Sequence, residues 1–250
     1  MNNIALSTYI LYSKYEPARA EQVGALQAVF PNAEIAEPVF PKFEKVPFLN
    51  KLIQKSKERT GSALLPSEIG VLMSHRRIWQ KIVMEAKYES PALNSIASKH
   101  YLILESDSKL NDTESLQQLY PGIEKEYDLF FWGAWNNHVS IKRSTSRKYG
   151  KFKIGEPMIR SVYGAYGYSL NALAAQKMLD STSNIKYPVD LYKHYAHLDT
   201  IKIGAIQKEL ISTWQTTDST IRPESQFDKL RRKLKIRLFS FRNQIQAYFC

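Results

Sequence analysis

The sequence predicts an α/β domain on a mainly parallel central sheet flanked by helices, with a basic amphipathic helix at its C-terminal end. Three observations predict this. The runs Tyr101–Leu104 (YLIL) and Leu129–Trp132 (LFFW) lack polar alternation, as strands covered on both faces do. Segments with helical spacing lie between such runs, the order of strand–helix units. From Phe227 to Phe249 apolar residues recur at three- and four-residue steps among Lys and Arg.

In chain order, Asn3–Tyr12 is rich in β-branched and aromatic residues and reads as a first strand. Pro17 suits the start of a helix over 18–30, whose Val23, Leu26 and Phe30 share a face, and Pro31-Asn32 stops it. Prolines 31, 38, 41, 47 and 66 make 31–66 an irregular connection with one short helix near 48–58. The strongest helix follows Pro66: Ile69, Leu72, Met73, Ile78, Trp79, Ile82 and Val83 repeat up to about Tyr88, with Ser67 as its N-cap. A polar loop over 89–99 leads to the strand 101–104. A helix over 113–120 is capped by Asp112 or Thr113, and the strand 128–132 ends at Gly133. The segment 137–161 is basic and aperiodic and is expected to be a mobile loop. Residues 162–169 read as a strand or turn, 171–180 as a helix and 201–205 as a late strand.

At 250 residues the chain can bury a sizeable core, and its one cysteine, Cys250, excludes an internal disulfide or a thiolate metal cage. No signal peptide is read at the N-terminus and no apolar run is long enough to span a bilayer, so a cytoplasmic protein is expected. The net charge of +11 points to a polyanionic partner. More than half of it sits in 228–242, which carries seven Lys/Arg and one Asp. The domain boundaries follow: 1–222 is the main α/β domain and 223–250 the basic tail. No P-loop, dinucleotide-binding or nucleophile-elbow motif occurs.

The stretch YLILESDS runs a buried strand into Glu105 and Asp107. Acids at the carboxyl end of a parallel strand stand where open α/β sheets place ligands. Two apart in extended chain, they point to one side, and two hard oxygen ligands suit Mg²⁺ or Mn²⁺ with a diphosphate completing the shell. The other reading has them capping a turn or pairing with surface Lys.

Leu65-Pro66-Ser67-Glu68-Ile69-Gly70-Val71-Leu72-Met73-Ser74-His75, then Ile103-Leu104-Glu105-Ser106-Asp107, Gly164-Ala165-Tyr166-Gly167-Tyr168 and Pro188-Val189-Asp190 together resemble glycosyltransferase family 25. The order and spacing match over roughly 64–190. The resemblance implies an inverting, nucleotide-sugar-dependent transferase of GT-A-like fold. It implies Mn²⁺ or Mg²⁺ held by Asp107 and Glu105, the latter on the metal or the ribose. Asp190 is the first candidate for the general base or for acceptor binding, with an N-cap role as the other reading. Glu68 is a second catalytic candidate, or an acid favoured by the helix dipole. Arg19, Ser74, His75, Glu105, Gly164 and Tyr166 are the substrate-binding candidates; a lone helical His is otherwise a hydrogen-bonded packing residue. Trp132, Trp135 and Trp214 either stack on sugar faces or pack in the core. The sequence departs from the family at Ser106, where the family carries the middle acid of E-D-D, at Ser67 and Val71, and in the N-terminal strand, which offers only Arg19.

The implied substrates are a UDP-sugar, first UDP-galactose, and a lipid-linked oligosaccharide acceptor of the lipooligosaccharide or lipopolysaccharide core. The basic tail then reads as a contact with an anionic membrane surface, which places the protein at the inner face of the bacterial inner membrane. Docking of the tail on its own domain or on a partner helix is the other reading. A non-catalytic protein that uses the tail for nucleic acid or membrane is the alternative function; with the apolar stripe, no nucleic acid is expected.

Overall fold

The computed structural model describes residues 6–89, 99–134, 137–195, 197–214 and 239–249. An eight-stranded sheet forms its centre, in the order β2-β1-β3-β8-β5-β9-β7-β6. The strands are β1 (Ser7–Leu11), β2 (Glu34–Ala36), β3 (Tyr101–Glu105), β5 (Leu129–Gly133), β6 (Arg147–Tyr149), β7 (Phe152–Gly155), β8 (Gly167–Leu170) and β9 (Ile203–Gln207). Pairing is parallel for β1 with β2 and β3 and for β5 with β9, and antiparallel where β8 separates β3 from β5 and where β7 meets β9 and β6. All but β7 and β8 therefore run one way, so the sheet is mixed with a dominant direction. A two-stranded ribbon of β4 (Ser108–Leu110) and β10 (Ile211–Thr213) caps the sheet's carboxyl edge.

Helices α1 (Ala20–Val29), α3 (Pro66–Glu89), α4 (Thr113–Glu126) and α5 (Ala172–Ser181) pack on the sheet, and α2 (Leu49–Thr60) precedes α3. The side-chain alternation of β3 explains its unbroken apolar run. Tyr101 and Ile103 join Leu72, Trp79 and Ile82 of α3 and Ala174, Ala175 and Met178 of α5 on one face. Leu102 and Leu104 join Val23 and Leu26 of α1 and Leu116, Leu119 and Ile123 of α4 on the other. With both faces covered, a polar residue at any of these four positions would be desolvated without a partner.

Local signals set several boundaries. Asp112 caps α4, accepting from the backbone N–H of Ser115 at 3.0 Å. Asn171 caps α5 through Ala174 at 2.9 Å. Gly61, at φ 76°, closes α2 in the left-handed conformation.

Other expectations need correction. Helix α4 continues through Pro121 to Glu126, because burial of Ile123 outweighs the one backbone hydrogen bond that proline removes. Strand β2 forms inside the proline-rich connection. The expected loop over 137–161 holds the hairpin β6–β7, whose Phe152 and Ile154 alternate into the core. Ser67 does not cap α3, which begins at Pro66; Glu68 reaches back instead and accepts from Leu65 N–H at 2.8 Å, half of a capping box.

Residues 239–249 form a final helix, α6, whose Ser240, Asn243 and Ala247 are buried. Ser240 bonds His138 at 3.3 Å, and the Arg143 guanidinium lies 4.4 Å from the Tyr248 ring centre. The boundary at 222/223, the loop 90–98 and the basic run before α6 lie outside the described residues.

Candidate active site

Strand β3 delivers Glu105 to the carboxyl edge, where the chain turns at once through Ser106 and Asp107 into β4. That turn corrects the expectation of an extended stretch, and the two acids diverge. The Ser108 hydroxyl fixes the turn, accepting from Glu105 N–H at 2.9 Å and donating to the carbonyl of Tyr166. From the opposite side, Trp214 N–H donates to the carbonyl of Asp107 at 2.9 Å.

Arg19 arrives from the loop after β1. Its Nη1 donates to Ser106 Oγ at 2.8 Å and lies 3.7 Å from Asp107 Oδ2, while its Nε lies 3.6 Å from Glu16. The serine that replaces the family's middle acid thus holds a guanidinium. Asp107 Oδ1 is buried and has no hydrogen-bond partner among the described residues. Burial, followed by the charge of Glu105, pushes the Asp107 carboxyl up to about 6, against the opposing pull of Arg19.

The Glu105 carboxylate turns toward the face of α3 and α5. His75 is completely buried, with Nε2 3.2 Å from Glu105 Oε1 and Nδ1 2.8 Å from the Tyr168 hydroxyl. The Trp79 indole N–H donates to that same hydroxyl at 2.9 Å. An indole can only donate, so one assignment satisfies every group: Trp79 to Tyr168, Tyr168 to His75 Nδ1, and His75 Nε2–H to Glu105. His75 therefore sits behind Glu105 and orients it.

Asp190 lies in a turn before a 3₁₀ segment, Tyr192–His194, whose N-cap is Leu191 with no side-chain cap, so the N-cap reading of Asp190 fails. Its charge, after burial and the neighbouring tyrosines, helps to raise the pKa of the buried Tyr192 hydroxyl two residues on. Glu68 is occupied at the start of α3.

Ser74 is buried, accepting from Val39 N–H at 2.8 Å and donating to the Gly70 carbonyl at 2.7 Å. It fastens the segment after β2 to α3. Gly164, at φ 88°, takes a conformation that disfavours a side chain, and a Cβ there would lie 2.5 Å from the Tyr166 ring. Tyr166 is buried, and its hydroxyl reaches Glu209 at 3.0 Å. Trp132 is core, bonded to Ser169; Trp214 is 40% exposed beside the acidic turn; Trp135 lies outside the described residues. The edge thus gathers Arg19, Ser106, Asp107 and Glu105. Glu68, Ser74, Gly164 and Tyr166 build the frame around them.

Two groups carried no signal in the sequence. Tyr192 sits in an unpatterned stretch. Glu209 follows Lys208 in what looks like a polar hairpin turn, yet Glu209 is buried. Its Oε1 accepts from Ala134 N–H at 3.0 Å, Asn137 N–H at 2.7 Å and Tyr166 at 3.0 Å. Burial pushes its carboxyl up to about 7.

Among the described residues no cluster of three or more His, Cys, Asp or Glu is arranged to hold a metal ion. Glu105 and Asp107, two residues apart at the end of β3, are the carboxylates at this edge. Mg²⁺ and Mn²⁺ take one or two carboxylates from a protein and complete the shell from phosphates, and Asp107 Oδ1, without a hydrogen-bond partner among the described residues, is an oxygen of the required kind.

Comparison with curated proteins gives no match. The family model described as glycosyltransferase family 25 (LPS biosynthesis protein) matches residues 32–192, which contain α3, the acidic turn, β8 and Asp190. With well over half of its length inside that match, the chain belongs to glycosyltransferase family 25, the glycosyltransferases of lipopolysaccharide biosynthesis.

Proposed function

We propose that the chain is an inverting hexosyltransferase of GT-A-like architecture that moves galactose from UDP-galactose to a lipid-linked oligosaccharide of the lipopolysaccharide core. The observation that carries this reading is the Arg19 guanidinium set against Ser106 and Asp107 at the carboxyl edge of β3. A leaving diphosphate gathers negative charge as its bond to the sugar breaks. A fixed guanidinium in a partly water-excluded site stabilises that charge without reorganising. Mn²⁺ or Mg²⁺ would be held by Asp107 and Glu105 and would add positive charge at the same diphosphate.

In the transfer, the acceptor hydroxyl oxygen bonds to the anomeric carbon as the bond to the diphosphate oxygen breaks on the opposite face. The hydroxyl proton passes to Asp190, the general base of this reading. His75, through its hydrogen bond, holds Glu105 in one orientation on the donor side. Support for the lipid-linked acceptor comes from α6. Phe241, Ile245 and Phe249 lie on one stripe and are 64%, 45% and 83% exposed, whereas Ser240, Asn243 and Ala247 face the domain. The helix docks through its small and polar side and offers its apolar side outward, and the basic run 228–242 supplies attraction to anionic lipid.

The test is UDP release from a panel of UDP-sugars with and without Mn²⁺. Wild type is expected to release UDP with one hexose donor in the presence of acceptor, and Asp107→Ala to lose at least about a hundredfold of that rate, the scale of one removed charge-stabilising group. Absence of release with every donor and acceptor fraction would overturn the reading.

A further inference from the structure

We propose that a stacked aromatic platform beside Arg19 binds the nucleobase of the donor nucleotide. This rests on the transferase reading above. Strands β2, β1 and β3 end level: Leu11 pairs with Ala36 on one side and with Glu105 on the other. The three loops that follow therefore emerge side by side at one edge. Across that edge run, in order, Phe40 and Phe43 after β2, Tyr15 and Arg19 after β1, and Ser106 and Asp107 after β3.

The rings of Tyr15 and Phe43 stack at 4.5 Å between centroids and 24° between planes, with Phe40 5.4 Å from Phe43. Tyr15 is 37% and Phe43 49% exposed. Three aromatics from two loops, packed on one another with Tyr15 and Phe43 open to water and Phe40 half-buried beside them, form a patch that a scattering of single exposed residues does not. Their backbone is held in place beforehand. Val39 N–H is tied to Ser74, Ser13 bonds Glu37 at 3.0 Å, and Phe43 N–H bonds the Phe40 carbonyl at 2.9 Å. Gly70 lets this segment rest on α3, since a Cβ there would lie 2.6 Å from Pro41 Cδ and from the Val39 carbonyl.

The order aromatic, guanidinium, carboxylates matches the order base, diphosphate, cation of a nucleoside diphosphate. Lys14 and Lys42, each with Nζ 5.3 Å from a ring centre of the patch, add positive charge around it. Stacking is tolerant of base identity, so the platform supplies affinity and leaves the choice of base to other contacts.

The test is calorimetric titration of the full chain with UDP and, separately, with pyrophosphate. Phe43→Ala and the double variant Tyr15→Ala/Phe43→Ala are expected to bind UDP about tenfold or more weakly and pyrophosphate as wild type does, the loss of one stacked base. Phe43→Trp is expected to restore UDP affinity, which a merely structural role for Phe43 would not require. Unchanged UDP affinity in the double variant overturns the platform while leaving the transferase reading intact. So does an equal loss for UDP and pyrophosphate, or normal UDP binding with loss of transfer only at the acceptor. A wild-type chain that binds neither ligand overturns both proposals.

Discussion

At the scale of single residues, buried polar groups decide most of the geometry. His75 is enclosed in the core, and its two ring nitrogens are both used. Replacing it by leucine removes the hydrogen bond that orients the Glu105 carboxylate and the acceptor of the Tyr168 hydroxyl proton, leaving Tyr168 only the bond it accepts from Trp79. His75→Leu is expected to lower stability by about 2–4 kcal/mol in urea denaturation, the cost of a broken buried network. Gly164→Ala is expected to cost about 1–3 kcal/mol, because alanine disfavours φ 88° and its methyl would meet the Tyr166 ring.

Glu209 gives a pH-dependent prediction. Its folded carboxyl titrates near 7 against an ordinary value of 4.5, so between those pH values the folded state holds a proton that the unfolded state has lost. Stability from this group is therefore full below about pH 4.5 and declines as pH rises toward 7. The difference corresponds to roughly 3 kcal/mol. Glu209→Gln is expected to flatten the stability profile between pH 5 and 7.5; an unchanged slope in denaturation midpoints would show that Glu209 does not titrate there.

Among the elements, α6 carries the sharpest consequence. An amphipathic helix ordinarily buries its apolar stripe, but here Ser240, Asn243 and Ala247 are the buried positions and Phe241, Ile245 and Phe249 face outward. Phe241→Ser/Ile245→Ser is expected to leave the fold unchanged by circular dichroism and to reduce sedimentation with anionic vesicles severalfold. Equal binding by this double variant would remove the membrane role from α6. The stripe itself was legible from spacing in the sequence, but which side of it docks was not. That depends on what 138–143 present to it, a contact between segments about a hundred residues apart. Strands β4 and β10 were illegible for a related reason. Each is three residues long and stable only as the other's partner, so neither builds a periodic signal of its own.

For the whole molecule, the sequence by itself determined the class of the fold, the long helix α3, the fully covered strands β3 and β5, and the family. Those are local facts: runs of apolar residues, helical spacing, and motifs whose order survives along the chain. It also placed an acidic pair at the end of β3. Only the tertiary structure decided what that pair contacts. A hydrogen bond from β8 through His75 turns Glu105 to one face, and a loop from β1 brings Arg19 to Ser106 and Asp107, across a sequence separation of 87 residues. Tertiary structure likewise set β8 antiparallel at the sheet centre, raised a strand and a hairpin from stretches read as irregular, and buried Glu209 in what reads as an exposed turn. The physical reason is the same in each case: hydrophobic periodicity reports which way a side chain faces along its own element, whereas partner, burial and charge state depend on which distant segments the sheet brings side by side.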